Sequence, residues 1–318
     1  MVHAVKGRHI ARHQRQQEES PAWRFDPFSL FPATLALVGL LVVSYPTVAN
    51  WLSQYNQSQI ISSYVTQVET VRPAAHEQLL KAAEYNRALS SGAILEANTN
   101  VPTGDGDLED DSLDYAHMLR ANDSGLMGRI RIPKIYVDLP VYHGTSDETL
   151  LAGAGHLQGT SLPVGGDSTR SVITAHRGLA NAKMFTDLDE VDVGDTFSVE
   201  VFNEVYTYKI FDKKVVEPTE TEALRVEAGR DLATLVTCTP LGINTHRILV
   251  TGERVLPTPA KDVEQVGKRP ELPFFPWWAI WIPAGIALIG VYIWWAGLPR
   301  CTKKRASKER SRKCRPAH

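Results

Sequence analysis

The stretch Leu232-Ala-Thr-Leu-Val-Thr-Cys238-Thr-Pro240 is an apolar run, rich in residues that favour β-strands, and it ends on a cysteine. Such a run, closed by Thr-Pro, predicts a strand that stops near Cys238. Two other cysteines, Cys301 and Cys314, lie in a basic tail beyond a second apolar segment. A bilayer would separate them from Cys238, so we expect no internal disulfide. Cys238 is then a buried spectator, an intermolecular crosslink or a nucleophile.

Two segments, 28–51 and 274–298, are apolar and uncharged over enough residues to cross a bilayer as helices. All seven tryptophans flank or lie in these segments, as is typical of aromatic belts at membrane interfaces. Basic residues are concentrated in the tails 1–27 and 299–318, which predicts a two-pass protein of the cell membrane with both termini cytoplasmic. Residues 47–49 would also suit signal cleavage, but the length of the first segment favours a retained anchor.

The region between the two apolar segments is strongly acidic, although the net charge of the whole chain is close to zero. Of 34 basic and 36 acidic residues, the tails hold 14 and 4, which leaves 20 and 32 in the exterior region. A net charge of about −12 on this region argues against nucleic acid as a partner.

The first part of the exterior region has helical spacing. Residues 52–92 predict a helical pair, broken at Pro73 and ended at Gly92, that acts as a stalk and packing layer. The apolar face of its first helix is expected to carry Ile61, Val65 and Val68. Residues 93–127 follow as a connection whose acidic part, 96–114, predicts a long exposed loop.

The second part, 128–256, consists of short runs rich in Val, Ile, Thr and Tyr that are separated by Gly, Pro, Asp and Asn. This spacing predicts a mainly β domain, either a sandwich or a closed barrel. Its expected strands are 129–136, 170–175, 196–202, 206–216, 232–238 and 246–255. A linker, 257–273, leads to the second membrane segment.

Cys238 needs a partner to act as a nucleophile, because an ordinary cysteine is only a few per cent thiolate at neutral pH. Arg247 follows it after the turn-rich segment Thr-Pro-Leu-Gly-Ile-Asn-Thr. Strands joined by such a turn are antiparallel neighbours, which brings Cys238 and Arg247 within side-chain reach. The guanidinium would stabilise a thiolate or an oxyanion; the alternative is a surface arginine in an ordinary hairpin.

The residues alone do not single out the histidine that would act as the base for Cys238. Six histidines lie in the exterior region: His76, His117, His143, His156, His176 and His246. His176 is the best placed, because it ends the apolar run Ser171-Val-Ile-Thr-Ala at the same kind of strand-to-loop transition that carries Cys238. Composition does not separate it from His143 or His246.

Three motifs now become recognisable: Thr234-Leu-Val-Thr-Cys-Thr-Pro240, Asn244-Thr-His-Arg247 and Thr174-Ala-His-Arg-Gly178. Together they resemble the active-site signature of sortases, the cysteine transpeptidases of Gram-positive surfaces. The similarity covers roughly residues 45–256 and is to the class C sortases, which build pili. Further matching stretches include Ile132-Pro-Lys-Ile135, Tyr142-His-Gly-Thr145, Gly159-Thr-Ser-Leu-Pro-Val-Gly-Gly166 and Met184-Phe-Thr-Asp-Leu188.

The resemblance implies a closed eight-stranded sortase β-barrel with an N-terminal helical pair, flanked by two transmembrane helices. It implies Cys238 as the nucleophile, His176 as the acid and base, and Arg247 as the stabiliser of the oxyanion or substrate. The implied partners are pilin subunits with a C-terminal sorting signal of the Leu-Pro-x-Thr-Gly type and an acceptor lysine. No metal or organic cofactor is implied.

The chain departs from class C at the lid over the active site. No Asp-Pro-aromatic motif stands between Ala93 and Met127, so the resemblance transfers no lid residue. The acidic loop 96–114 occupies the lid position, but it lacks the glycine and terminal glutamate of an EF-hand, and we expect no calcium site there. Two alternatives to a pilus polymerase remain: a housekeeping sortase that attaches surface proteins to a cell-wall precursor, and a non-catalytic membrane-tethered assembly factor.

Overall fold

A computed structural model describes residues 23–71, 73–90, 107–108 and 114–298 of the chain. Its contacts divide the chain into two units, Met1–Val42 with Ala279–His318, and Val43–Trp278. The expectations for the cytoplasmic tails, for Cys301 and Cys314, and for nearly all of the acidic loop 96–114 fall outside the described residues.

The first unit contains two apolar helical segments. Helix α1, Leu30–Thr70, begins in this unit, and helix α5, Trp278–Ala296, ends in it; both are long and apolar enough to cross a membrane. Leu40 packs on Gly285, where an added Cβ would lie 3.1 Å from the leucine side chain. The backbone N–H of Arg24 donates to the carbonyl of Gly297 at 3.0 Å, so the start of one segment adjoins the end of the other.

The second unit opens with the rest of α1 and with α2, Ala75–Ala88. Ile61, Tyr64 and Val68 of α1 are buried apolar residues, whereas Val65, expected on the same face, is half-buried. The Tyr64 hydroxyl donates to the carbonyl of Met127 at 2.9 Å and accepts from the N–H of Phe202 at 2.7 Å. A buried hydroxyl with both partners satisfied ties the helix to the β domain at little cost.

Helix α2 is fixed to the same domain by one side chain. Asn86 donates from Nδ2 to the carbonyl of Leu162 at 2.9 Å and accepts from its N–H at 2.7 Å. After α2 come two short paired strands, β1 (Leu89–Ser90) and β2 (Asp107–Leu108).

A closed barrel of eight strands forms the body of the unit and confirms the predicted fold class. The strands are β3 (Leu126–Ile132), β4 (Val137–His143), β5 (Ala154–His156), β6 (Thr169–Thr174), β7 (Thr196–Val201), β8 (Glu204–Val216), β9 (Asp231–Thr239) and β10 (His246–Arg254). Around the barrel they run in the order β10-β8-β7-β3-β4-β5-β6-β9, and β9 pairs with β10 to close it. The β4–β5 and β6–β9 pairs are parallel and the others are antiparallel. Two short helices complete the unit, α3 (Asp147–Ala152) and α4 (Ala260–Val263).

The predicted strand 129–136 is wrong at its C-terminal end. β3 stops at Ile132, because Pro133 opens a 3-10 turn and Tyr136 then takes a left-handed conformation with φ 50°. The chain reverses there into β4, which the sequence analysis missed together with the three-residue β5.

The barrel surrounds the main apolar core, and a smaller apolar cluster covers its outer face. The smaller cluster consists of Leu157, Val172, Val216, Leu224, Val236 and Leu249. Leu224 comes from the connection 217–230 between β8 and β9, so this connection lies against the outside of the barrel wall. The same wall carries Cys238, two residues beyond Val236 on the same face of β9.

Candidate active site

Cys238 and Arg247 lie on neighbouring strands, directly opposite each other. Cys238 is one residue before the end of β9, Arg247 is the second residue of β10, and the antiparallel register pairs the two. Opposed residues in such a pair share a face and have Cβ atoms about 4.5–5.5 Å apart. Cys238 is 6% exposed and Arg247 is 1% exposed. The proximity expected from the turn-rich connection is therefore present in the fold.

The guanidinium of Arg247 is held by the turn that precedes it. Its Nη1 donates to the carbonyls of Asn244 at 3.0 Å and His246 at 3.1 Å. The turn itself is closed by the N–H of Asn244, which donates to the carbonyl of Pro240 at 2.9 Å. Gly242 and Asn244 both have positive φ, a backbone conformation that glycine and asparagine tolerate best. The turn sequence thus fixes where the positive charge stands.

His176 is two residues beyond the end of β6. The parallel register between β6 and β9 ends at the pair Thr174 and Val236, and two residues further along each chain stand His176 and Cys238. Continued past the end of the ladder, this register brings His176 level with Cys238. The carbonyl of His176 accepts from the N–H of Phe185 at 3.0 Å, which anchors the backbone of the loop.

Burial lowers the pKa of His176, and the nearby carboxylate of Asp147 partly counters this effect. The imidazole is half-buried, so its charged form is poorly solvated. At neutral pH the neutral form therefore predominates, which suits a proton acceptor. Asp147, in α3, favours the protonated form that a proton donor needs.

The other exterior histidines stand elsewhere. His143 has both ring nitrogens on backbone carbonyls, those of Gly125 and Met118, and His156 is fully buried. His246 pairs with Thr239, so it projects from the face opposite to that of Cys238. His76 and His117 are exposed on α2 and on a 3-10 turn. Of the six histidines, His176 is the one that the register of β6 with β9, continued by two residues, brings level with Cys238.

A surface pocket of about 700 Å³ lies beside this constellation. It is lined by Lys214 and Val216 at the end of β8 and by residues 219–223 of the following connection. None of the three predicted site residues lines it, but Val216 is the register partner of Arg247. Among the described residues, no group of His, Cys, Asp and Glu could hold a metal ion.

Two side-chain hydrogen bonds, which the sequence did not predict, join the strand ends on either side of His176 and Cys238. Thr237 Oγ1 donates to the carbonyl of Ala175 at 2.8 Å, and Arg177 Nη1 donates to Thr239 Oγ1 at 3.0 Å. The sequence indicates Thr237, Thr239 and Arg177 only by their position, because each is next to a predicted site residue.

Comparisons with known proteins agree on one family. The family model described as "Sortase domain" matches residues 130–255. Sortase C-1 from Actinomyces oris is 46% identical, with a TM-score of 0.51, and the match covers 57% of this chain and 99% of that one. Sortase C from Streptococcus pneumoniae is 37% identical, with a TM-score of 0.54 and coverage of 62% and 96%.

Among curated proteins, Sortase D of Bacillus subtilis (strain 168) is 28% identical over 131 residues. The match covers 40% of this chain and 63% of that protein, so the chain spans less than two thirds of this curated relative.

Proposed function

This chain belongs to the sortase family of cysteine transpeptidases, and we propose that it joins pilin subunits into a pilus on the outside of the cell membrane. The observation that carries the proposal is the opposed pair Cys238 and Arg247, with His176 two residues beyond the adjoining strand β6 and level with Cys238 in its register. It occurs in a chain whose solved neighbours at about 40% identity are class C sortases, and the Streptococcus pneumoniae enzyme among them is described by its pilin substrate specificity.

In the first half of the reaction, the proton of the Cys238 thiol passes to neutral His176, and the resulting thiolate attacks the threonine carbonyl of a Leu-Pro-x-Thr-Gly-type signal. The carbonyl oxygen takes the charge, and the Arg247 guanidinium beside it stabilises the oxyanion. When the carbonyl re-forms, the bond between threonine and glycine breaks, and protonated His176 gives its proton to the leaving glycine amine. A thioester between Cys238 and the pilin remains.

In the second half, the neutral ε-amine of a lysine on the next pilin attacks the thioester carbonyl. His176, now neutral, takes a proton from the attacking nitrogen, and the carbon–sulfur bond breaks to return the thiolate of Cys238. The product is an isopeptide bond, and the pilus is one subunit longer. The lowered pKa of His176 suits this step, because the neutral imidazole is the form that accepts a proton.

The place for the sorting signal is the outer face of the barrel next to Cys238. The small apolar cluster under the 217–230 connection and the pocket at the end of β8 adjoin the site on the Arg247 side. An apolar floor with a few polar groups at one end is typical of a peptide-binding site. Because the 217–230 connection already covers this cluster, leucine and proline of the signal would lie in the pocket beside it while the threonine carbonyl reaches Cys238.

A housekeeping sortase, which transfers the acyl group to a cell-wall precursor, is the main alternative. The apolar helix after the barrel, Trp278–Ala296, and the match to class C structures favour the polymerase. A non-catalytic assembly factor is disfavoured by the aligned cysteine, histidine and arginine.

The test uses the detergent-solubilised chain with a candidate pilin that carries the sorting signal. We expect an SDS-resistant ladder from the wild type, and none from Cys238→Ala, which should also form no thioester with a Leu-Pro-x-Thr-Gly peptide. Lys81→Gln, which removes an exposed ion pair on α2, is the matched control and should form the ladder normally. Thioester capture in Cys238→Ala would contradict the assignment, and transfer to a cell-wall precursor alone would favour the housekeeping enzyme.

The substitution Arg247→Lys tests whether the site needs the guanidinium itself or only a positive charge. The proposed role depends on a planar, multi-donor guanidinium, which an ammonium does not reproduce. We expect turnover to fall about 100-fold or more, as when one oxyanion donor is removed from other acyl-transfer sites. Near-normal turnover would mean that Arg247 supplies only a diffuse positive potential.

A further inference from the structure

The backbone pairing that joins β6 to β9 ends before it reaches the site. Its last registered pair is Thr174 and Val236, and the N–H of Ala175 makes a final long bond to the carbonyl of Val236 at 3.3 Å. His176 and Cys238 lie beyond this point. Cys238 is still held by pairing with β10, whereas His176 stands at the start of a loop. Something other than the ladder must therefore set the separation of the two side chains.

Two side-chain hydrogen bonds continue the connection past the end of the ladder. Thr237 Oγ1 bonds to the carbonyl of Ala175 just before the pair, and Arg177 Nη1 bonds to Thr239 Oγ1 just after it. Residues 237 and 239 alternate with Cys238, so both bonds lie on the face opposite to the thiol. They join the strand ends on the side away from the thiol.

The bond from Arg177 to Thr239, called the brace below, is the better fixed of the two, because every nitrogen of the Arg177 guanidinium has a partner. Nε donates to the carbonyl of Thr186 at 2.9 Å, and Nη2 forms an ion pair with Asp189 Oδ2 at 2.7 Å. The Arg177 side chain is only 7% exposed. A planar donor held at three points is rigid, and charge-assisted bonds of this kind are stronger than neutral ones.

The brace also fixes the loop that carries His176. Thr186 accepts from the N–H of Gly178 through its Oγ1 at 3.1 Å, so the loop is closed on itself around Arg177. Gly178 lies so close to Leu241 of the β9–β10 turn that an added Cβ would stand 2.6 Å from the leucine side chain. The loop after His176 and the turn after Cys238 are thus packed together.

We propose that Arg177, acting through Thr239, is a positioning residue that sets the distance between the side chains of His176 and Cys238. The proposal rests on the proposed acyl transfer, in which a proton must pass at hydrogen-bond distance between the two halves of the site. Misplacement of a catalytic group by about 1 Å can cost on the order of 100-fold in rate. Loss of the brace should therefore lower kcat and leave the binding of the sorting signal nearly unchanged.

The experiment removes one atom of the brace and then restores it. Thr239→Val keeps the size of the side chain but lacks the acceptor oxygen, whereas Thr239→Ser keeps the oxygen. With the full chain in detergent and a fluorescent Leu-Pro-x-Thr-Gly peptide, we expect about a 10- to 100-fold lower kcat for Thr239→Val, with KM changed less than threefold. Thr239→Ser should recover most of the rate. Arg177→Lys should resemble Thr239→Val, since an ammonium cannot serve three separate acceptors.

A second readout separates positioning from loss of stability. The pH profile of Cys238 alkylation by a small reagent reports the coupling of the thiol to its neighbours, and we expect Thr239→Val to change this profile relative to the wild type. Thr169→Val is the matched control: its Oγ1 donates to the carbonyl of Gly166 at 2.7 Å at the far end of β6, so it loses a similar bond and should keep the wild-type profile.

The outcomes are distinct. A wild-type kcat and alkylation profile in Thr239→Val, or a Thr239→Ser variant as impaired as Thr239→Val, would overturn the positioning role. If the wild type itself transfers no peptide, the proposed function fails, and the alkylation profiles still decide whether Arg177 and Thr239 control the thiol.

Discussion

At the scale of single residues, His156 shows how a histidine can be structural. It is fully buried; its Nε2 lies 2.9 Å from the carbonyl of Ser161, which can only accept, so this nitrogen carries the proton. Nδ1 then accepts from the Tyr115 hydroxyl at 3.0 Å, and that hydroxyl accepts from the N–H of Gly144 at 3.1 Å. Burial lowers the pKa of His156 to about 4. The ring is therefore neutral and joins three parts of the chain.

This lowered pKa predicts a loss of stability in acid. A histidine in the unfolded chain has a pKa of about 6.5. Below this pH the unfolded chain therefore binds a proton at His156 that the folded chain does not bind. The contribution of His156 to the free energy of unfolding is complete above about pH 6.5 and is lost as the pH falls toward 4. Between pH 7.5 and 5 the loss is about 2 kcal/mol. Urea unfolding at both pH values should show His156→Gln to be less pH-dependent than the wild type by this amount. The exposed His76→Gln is the control, and an unchanged slope in His156→Gln would refute the prediction.

At the scale of elements, the segment after β10 is bound to the barrel and does not hang as a simple tether. Arg129 Nη1 donates to the carbonyl of Lys268 at 2.8 Å, and the N–H of Gly267 donates to Glu200 Oε1 at 2.9 Å. Both side chains are buried, and Arg129 also forms a two-point pair with Asp138. Strands β3, β4 and β7 thus hold the predicted linker 257–273 through one ionic cluster.

Arg129→Met should destabilise the chain by about 3–5 kcal/mol, because two carboxylates would remain buried without their cation. It should also speed hydrogen exchange at residues 264–268, which lose their anchor. Unfolding by urea measures the first effect and exchange mass spectrometry the second. Arg225→Met, which breaks an exposed pair with Glu222, should cost less than about 1 kcal/mol. Adding Glu200→Gln to Arg129→Met should recover part of the loss; no recovery would argue against an ionic origin.

At the scale of the whole molecule, the two apolar helices predict which side of the membrane each part occupies. Arg24 adjoins Gly297 within the first unit, and the basic tails lie beyond these residues. Two antiparallel spans with positive flanks predict that both tails lie in the cytoplasm. A membrane-impermeant maleimide should therefore leave Cys301 and Cys314 unlabelled on intact protoplasts and label them after permeabilisation. Lys81→Cys, on exposed α2, should be labelled in both cases; labelling of the tail cysteines without permeabilisation would reverse the topology.

The sequence by itself determined the strand that ends at Cys238, the β character of residues 128–256 and the two apolar spans. These features depend on local composition and on the period of apolar residues, which a single segment carries. The turn between Cys238 and Arg247 also belongs here, because a short connection leaves the two strands few ways to pair.

Only the tertiary structure decided what depends on distant segments. The spacing of the strands left a sandwich and a closed barrel open, and the resemblance implied the barrel; its closure depends on pairings between distant segments, such as β6 with β9. Strand β5 is too short to carry a pattern. The register of β6 with β9, continued by two residues, brings His176 level with Cys238, and the pairing of β9 with β10 puts His246 on the opposite face. The brace from Arg177 to Thr239 joins residues 62 positions apart, and such a contact leaves no period in the sequence.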